Sequence, residues 1–203
     1  MRTPINPQLE TSTPALCAWN SGWFRFAKHI SSPNFGVRPN SDISDISLVV
    51  IHSISLPPNV FGGDQIERFF TNDLDHNQHP YFKGLEDVKV SSHFLIKRNG
   101  HLIQFVSCLD RAWHAGVSSY RGRDNCNDYS IGIELEGAES GGTFEDIQYE
   151  TLTSLCSSLI SEFPIAHFAG HEHIAPGRKK DPGAGFTWGL FQKSLGLSNS
   201  FFP

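Results

Sequence analysis

The chain is poor in sulfur, with one methionine and four cysteines in 203 residues. Cys17, Cys108, Cys126 and Cys156 are scattered and contain no Cys-x-x-Cys pair. That spacing offers neither a thiolate zinc cage nor a disulfide framework, so reduced thiols in a cytoplasmic protein are expected. No apolar run approaches the roughly 18 residues that a membrane-spanning helix needs, so no membrane partner is expected. Basic charge is also short: 16 Lys and Arg against 21 Asp and Glu leave a formal charge of −5. Nucleic acid is therefore a poor main partner, since phosphate binding is driven by Lys and Arg. The opening MRTPINPQLETSTPALCAWN has three prolines and one arginine but no apolar stretch of the secretory type. Residues 1–20 are expected to form a loosely ordered tail before a single domain over 21–203.

What is present suits a domain of this length: 38% apolar and 18% charged residues, enough for one full core. ISLVVIHSI (46–54) is a β-branched run, as expected of a strand buried on both faces. DQIERFFTND (64–73) reads as a helix with Asp64 as N-cap and Glu67 as its capping-box partner. In SSHFLIKRNGHLIQFVS (91–107), two apolar-rich runs flank Asn99-Gly100, which predicts a hairpin. YSIGIELEG (129–137) reads as another strand. FEDIQYETLTSLCSSLISEF (144–163) reads as a helix that places Leu152, Leu155, Cys156, Leu159, Ile160 and Phe163 on one face. Thr143 and Asp146 have the spacing of a capping pair at its start. IAHFAG (165–170) predicts a short strand and FTWGLFQKSL (186–195) a last helix. Strands and helices mix without strict alternation, so the expected fold is α/β, with one central mixed β-sheet flanked by helices.

Titratable chemistry concentrates in GHEHIAPGRKKDPG (170–183), a segment too polar and too rich in Gly and Pro for a core element. His52 ends the first strand, at the edge where ligands collect in open α/β sheets. His171 ends IAHFAG in the same way, and Asp181 follows ten residues later. Two imidazoles and a carboxylate, with a fourth position left open, form a catalytic zinc set. His173 rivals His171, because residues i and i+2 share a face in an extended segment, and spacing does not separate them. Glu134 and Glu136 share one face of an otherwise apolar strand, and either is a candidate general base. RAWHAG (111–116) offers an aromatic plane and an imidazole beside a flexible Gly.

Taken in order, VVIHSISLPPNVFGG, HPYF, VSSHFLIKRNG, RAWHAGVSSY, CNDYSIGIELEG and GHEHIAPGRKKDPG closely resemble the zinc N-acetylmuramoyl-L-alanine amidases of bacterial cell-wall recycling. These share their fold with the peptidoglycan recognition proteins. The resemblance runs from about Gly22 to Ser194 and implies one catalytic zinc ion and no organic cofactor. It places the ligands on His52, His171 and Asp181, a catalytic carboxylate on Glu134 and a catalytic lysine on Lys179. The implied substrate is a small molecule, 1,6-anhydro-N-acetylmuramic acid carrying an L-Ala-γ-D-Glu-diaminopimelate peptide, cut by a cytoplasmic monomer. Trp113 and His114 are then expected to wall the sugar and peptide, with Ser53 as a further contact. Lys89, Arg178 and Lys180 are expected to meet the ligand's carboxylates. Ser53 stands where the family has asparagine, and Lys89 and Asn125 where it has arginine. Two other readings keep part of this chemistry: a lytic amidase acting on intact wall, and a muropeptide-binding module without turnover.

Overall fold

The computed structural model describes residues 17–138 and 142–203. Its centre is a six-stranded mixed sheet built from β1 (Lys28–His29), β2 (Leu48–Ile54), β3 (Phe94–Ile96), β4 (Leu102–Gln104), β5 (Ser130–Glu136) and β6 (His167–Gly170). The spatial order is β6-β2-β5-β3-β4-β1. Strands β2, β5, β3 and β6 run parallel, β3 and β4 form the antiparallel hairpin that Asn99-Gly100 predicts, and β1 runs parallel to β4. The expected mixed α/β architecture is the one observed.

The two faces of the sheet differ in cover. Val49, Ile51, Ile131, Ile133, Leu135, Phe94 and Ile96 pack with Leu152, Leu155, Cys156 and Leu159 of helix α3 (Asp146–Glu162). Each such side chain removed from water contributes about 1.5–3 kcal/mol, so this face carries much of the stability. Over the other face lie Leu48, Val50, Ala115, Cys126, Ala169 and Ile174. A separate apolar cluster joins Leu95, Ile103 and Phe105 to Ile66, Phe69 and Phe70 of α1 (Gln65–Phe70). Two short helices, α2 (Pro80–Lys83) and α4 (His171–Ile174), and a terminal α5 (Trp188–Leu195) complete the chain. Among the described residues no helix is long and apolar enough to cross a membrane, and all four cysteines are free.

Three sequence expectations shift. Helix α3 is capped by Glu145, whose backbone N–H donates to Gln148 Oε1 at 3.0 Å, rather than by Thr143 with Asp146. Asp64 occupies the N-cap position of α1 but makes no cap bond, because its carboxylate accepts from Arg68 Nε at 2.8 Å instead. The domain also begins earlier than residue 21. Trp19 is buried, packs against Phe24, Phe94 and Phe163, and donates its indole N–H to Ser158 Oγ at 2.9 Å. A tail ending at Asn20 would cut through that contact. Of the expected tail, residues 1–16 lie outside the described residues.

Candidate active site

Parallel register brings the candidate residues together. In the β5–β2 ladder Glu134 is paired with His52. In the β6–β2 ladder Gly170 is paired with Ile51, so the next residue along, His171, arrives beside His52. The chain then turns into α4 instead of continuing as a strand. On one helical turn, residues 171 and 173 no longer share a face. His173 Nδ1 accepts from the Gly170 N–H at 2.9 Å, whereas His171 is buried against His52 and Asp181.

The result is a tight group of three donor atoms. His52 Nδ1 lies 3.0 Å from His171 Nδ1 and 3.0 Å from Asp181 Oδ2, and His171 Nδ1 lies 3.1 Å from the same oxygen. All three residues are buried. Lone pairs on two nitrogens and a carboxylate oxygen repel one another at such distances unless a proton or a metal cation lies among them. Ligands of a tetrahedral ion at 2.0–2.1 Å stand roughly 3.3 Å apart, close to what is seen here. The donor set therefore fits a divalent metal of the zinc type. The outer nitrogen of each ring is also occupied: His171 Nε2 donates to the Ala115 carbonyl at 3.1 Å, and His52 Nε2 faces His114 Nδ1 at 2.9 Å. Such partners orient the ring and fix its tautomer.

Electrostatics follow the geometry. Burial would raise the Asp181 carboxyl, but its close contacts with His171 and His52 hold it far below the usual carboxylate range. Burial, with the charges of His171 and Lys179, lowers His52 to about 4, against the pull of Asp181. Its ring is thus neutral, as a metal ligand must be, across the physiological range. Glu134 is raised well above its ordinary value by burial and by the Asp181 charge, against the Lys179 ammonium. One of its oxygens, Oε2, is buried without a hydrogen-bond partner. A desolvated carboxylate with an unpartnered oxygen beside the His52, His171 and Asp181 group suits proton transfer.

The remaining candidates divide. Lys179 is exposed on the loop between His171 and Asp181, near enough for its charge to act on both His52 and Glu134. The Ser53 hydroxyl, one residue beyond His52, is buried without a partner. Trp113 is half-buried, its backbone N–H donating to Ser91 Oγ at 3.1 Å. Lys89 and Lys180 are exposed. Arg178, expected to meet carboxylates, has Nη2 donating to the Ala115 and Val117 carbonyls at 2.8 and 2.6 Å. His114, expected on an open wall, is buried beneath His52. Sequence reasoning also missed Asn127, whose Oδ1 accepts from the His114 and Ala115 amides at 3.1 and 2.8 Å. A polar residue in CND has no periodicity that would mark it. A groove of about 1020 Å³ lined by Lys97, Arg98, His101 and Glu136 contains none of the cluster residues. Its central charges, Lys97 and Glu136, already pair with each other at 3.1 Å.

Known proteins resemble this chain in sequence and fold. The sequence pattern of N-acetylmuramoyl-L-alanine amidases fits residues 42–184. The 1,6-anhydro-N-acetylmuramyl-L-alanine amidase AmpD of Citrobacter freundii is 46% identical over 175 residues, covering 85% of this chain and 92% of the relative. The crystal structure of a selenomethionine derivative of AmpD superposes with a TM-score of 0.83 at 47% identity, over 87% of this chain and 98% of that one. The amidase AmiD from E. coli, in complex with anhydro-N-acetylmuramic acid-L-Ala-D-γ-Glu-L-Lys, superposes with a TM-score of 0.54 at 31% identity, over 74% of this chain and 57% of AmiD. Alike in sequence pattern, extent and fold, this chain belongs to the N-acetylmuramoyl-L-alanine amidase family.

Proposed function

We propose that this protein is a zinc-dependent amidase that hydrolyses the amide between 1,6-anhydro-N-acetylmuramic acid and L-alanine in soluble muropeptides released from the cell wall. The observation that carries the reading is the convergence of His52 Nδ1, His171 Nδ1 and Asp181 Oδ2 beside Glu134. The relatives named for this activity and the anhydromuropeptide held by AmiD support the choice of bond and sugar.

His52, His171 and Asp181 would hold the ion, which when bound would acidify water and polarise a carbonyl. Glu134 accepts the proton of the attacking water on its unpartnered Oε2 and returns it to the departing alanine nitrogen. Without that return an amine anion would have to leave, so one carboxyl serves both steps. Lys179 donates to the oxyanion of the tetrahedral intermediate, where loss of a donor commonly costs about 3–4 kcal/mol. The half-buried Trp113 offers its ring to the sugar, the Ser53 hydroxyl an unfilled hydrogen bond, and Lys89 and Lys180 free charge for the peptide's carboxylates. The enzyme works as a cytoplasmic monomer in wall recycling.

Turnover of soluble anhydro-N-acetylmuramyl-tripeptide against that of polymeric sacculi tests the assignment. Preference for the soluble fragment is expected. Faster release of peptide from sacculi would replace it with a lytic wall amidase, and binding of the fragment without cleavage by zinc-loaded protein would leave only a recognition module.

A further inference from the structure

Two residues, His114 and Ser130, join His52 to the Cys126 carbonyl through the floor of the site. His52 Nε2 lies 2.9 Å from His114 Nδ1, His114 Nε2 lies 3.2 Å from Ser130 Oγ, and Ser130 Oγ lies 2.5 Å from the Cys126 carbonyl oxygen. The carbonyl can only accept, so at that separation the serine hydrogen must point to it. Ser130 Oγ is then left to accept, and the proton of His114 sits on Nε2. His114 Nδ1 in turn carries a lone pair and must accept from His52 Nε2–H. That leaves the His52 Nδ1 lone pair directed at His171 and Asp181. The direction of every proton in the chain is dictated from its carbonyl end.

The sequence makes room for this ring. Gly132 lies under His114, and a Cβ at that position would stand 2.5 Å from His114 Cγ. The segment is fixed from outside as well, since Asn127 Oδ1 takes both the His114 and Ala115 amides. The Ala115 carbonyl receives His171 Nε2. One short segment thus supports both imidazoles of the cluster.

Resting on the reading of His52, His171 and Asp181 as a metal site, we propose that His114 is a positioning residue that holds His52 in its Nε2–H tautomer, and not a wall of the substrate groove. It touches neither substrate nor reacting atoms. Its removal acts on the metal and on kcat and leaves KM near the wild-type value.

Two measurements test this. In wild-type protein, long-range 15N–1H correlations of the imidazoles should show His114 protonated on Nε2 alone and His52 protonated on Nε2, with or without zinc. A His114 proton on Nδ1 would overturn the proposal without any variant. Zinc affinity, measured by competition with a chromophoric chelator, should weaken about 10–100-fold in His114→Ala. His114→Asn, whose Oδ1 replaces Nδ1 as acceptor, should recover most of that loss. His114→Ala with wild-type affinity, or His114→Asn as weak as His114→Ala at equal thermal stability, would contradict it. Failure of the wild-type protein to bind zinc would instead remove the metal reading, and the tautomers would still be read independently.

Discussion

Glu134 and Glu136 share one face of β5 but meet opposite environments. Glu134 has an oxygen buried without a partner. Both oxygens of Glu136 are engaged, Oε1 by the Gly62 N–H at 2.8 Å and Lys97 Nζ at 3.1 Å, and Oε2 by the Arg98 N–H at 3.0 Å. One carboxyl is free to move a proton, and the other ties the loop after β2 to the β3–β4 hairpin. Glu134→Gln should therefore lower kcat by about 10²–10⁴-fold with unchanged zinc content and melting temperature. Glu136→Gln should lower stability by about 2–3 kcal/mol, since it breaks a buried, charge-assisted set. Denaturant unfolding and steady-state kinetics on both variants check the division. A swap of the two phenotypes would reverse the roles.

The same pair shows where sequence reading stops. Alternation along YSIGIELEG places both carboxylates on one face, and the β-branched run before His52 places that histidine at a buried strand end. Neither pattern says which glutamate meets Lys97, because that partner lies on a separate hairpin. His171 and His173 were inseparable while the segment was taken as extended, and one turn of helix separates them. His114 is expected from the resemblance to wall the sugar and peptide, and RAWHAG has no period that would reveal its burial. Its burial depends on Gly132, eighteen residues on, which leaves the space for its ring. The cap of α3 lies elsewhere for a related reason: Glu145 with Gln148 has the same spacing as Thr143 with Asp146, two residues further along.

The N-terminal boundary is tested by truncation. Removing residues up to Asn20 deletes Trp19 from between Phe24, Phe94 and Phe163. A buried aromatic lost to alanine costs about 3–5 kcal/mol, and the truncated protein should lose at least as much. A chain starting at Cys17 keeps these contacts and serves as the reference. Equal melting temperatures for both truncations would return the boundary to residue 21.

Acid should destabilise the fold through His93. Its Nδ1 accepts from the Gly132 N–H at 3.0 Å, so its proton sits on Nε2 and donates to the Asp110 carbonyl at 3.1 Å. Burial and then the Arg38 charge lower it from 6.5 to about 3. The unfolded chain takes up this proton near pH 6.5, while the native ring refuses it until about pH 3. Stability contributed by the neutral ring is thus full above 6.5 and falls as pH drops through that window, by at most about 1.4 kcal/mol per unit. His114, also lowered mainly by burial, adds a loss of the same sign. In zinc-free protein, His93→Asn keeps an acceptor for Gly132 and should flatten the acid limb by about one proton. An unchanged slope of unfolding free energy against pH would contradict this.

The most direct test of the central claim follows the products. Purified protein is incubated with anhydro-N-acetylmuramyl-tripeptide, with and without a zinc chelator, and the mixture is resolved by mass spectrometry. The account predicts free tripeptide and anhydro sugar, abolished by chelation, restored by added zinc, and never formed by His52→Ala. Cleavage that persists at full rate after complete removal of metal would contradict it.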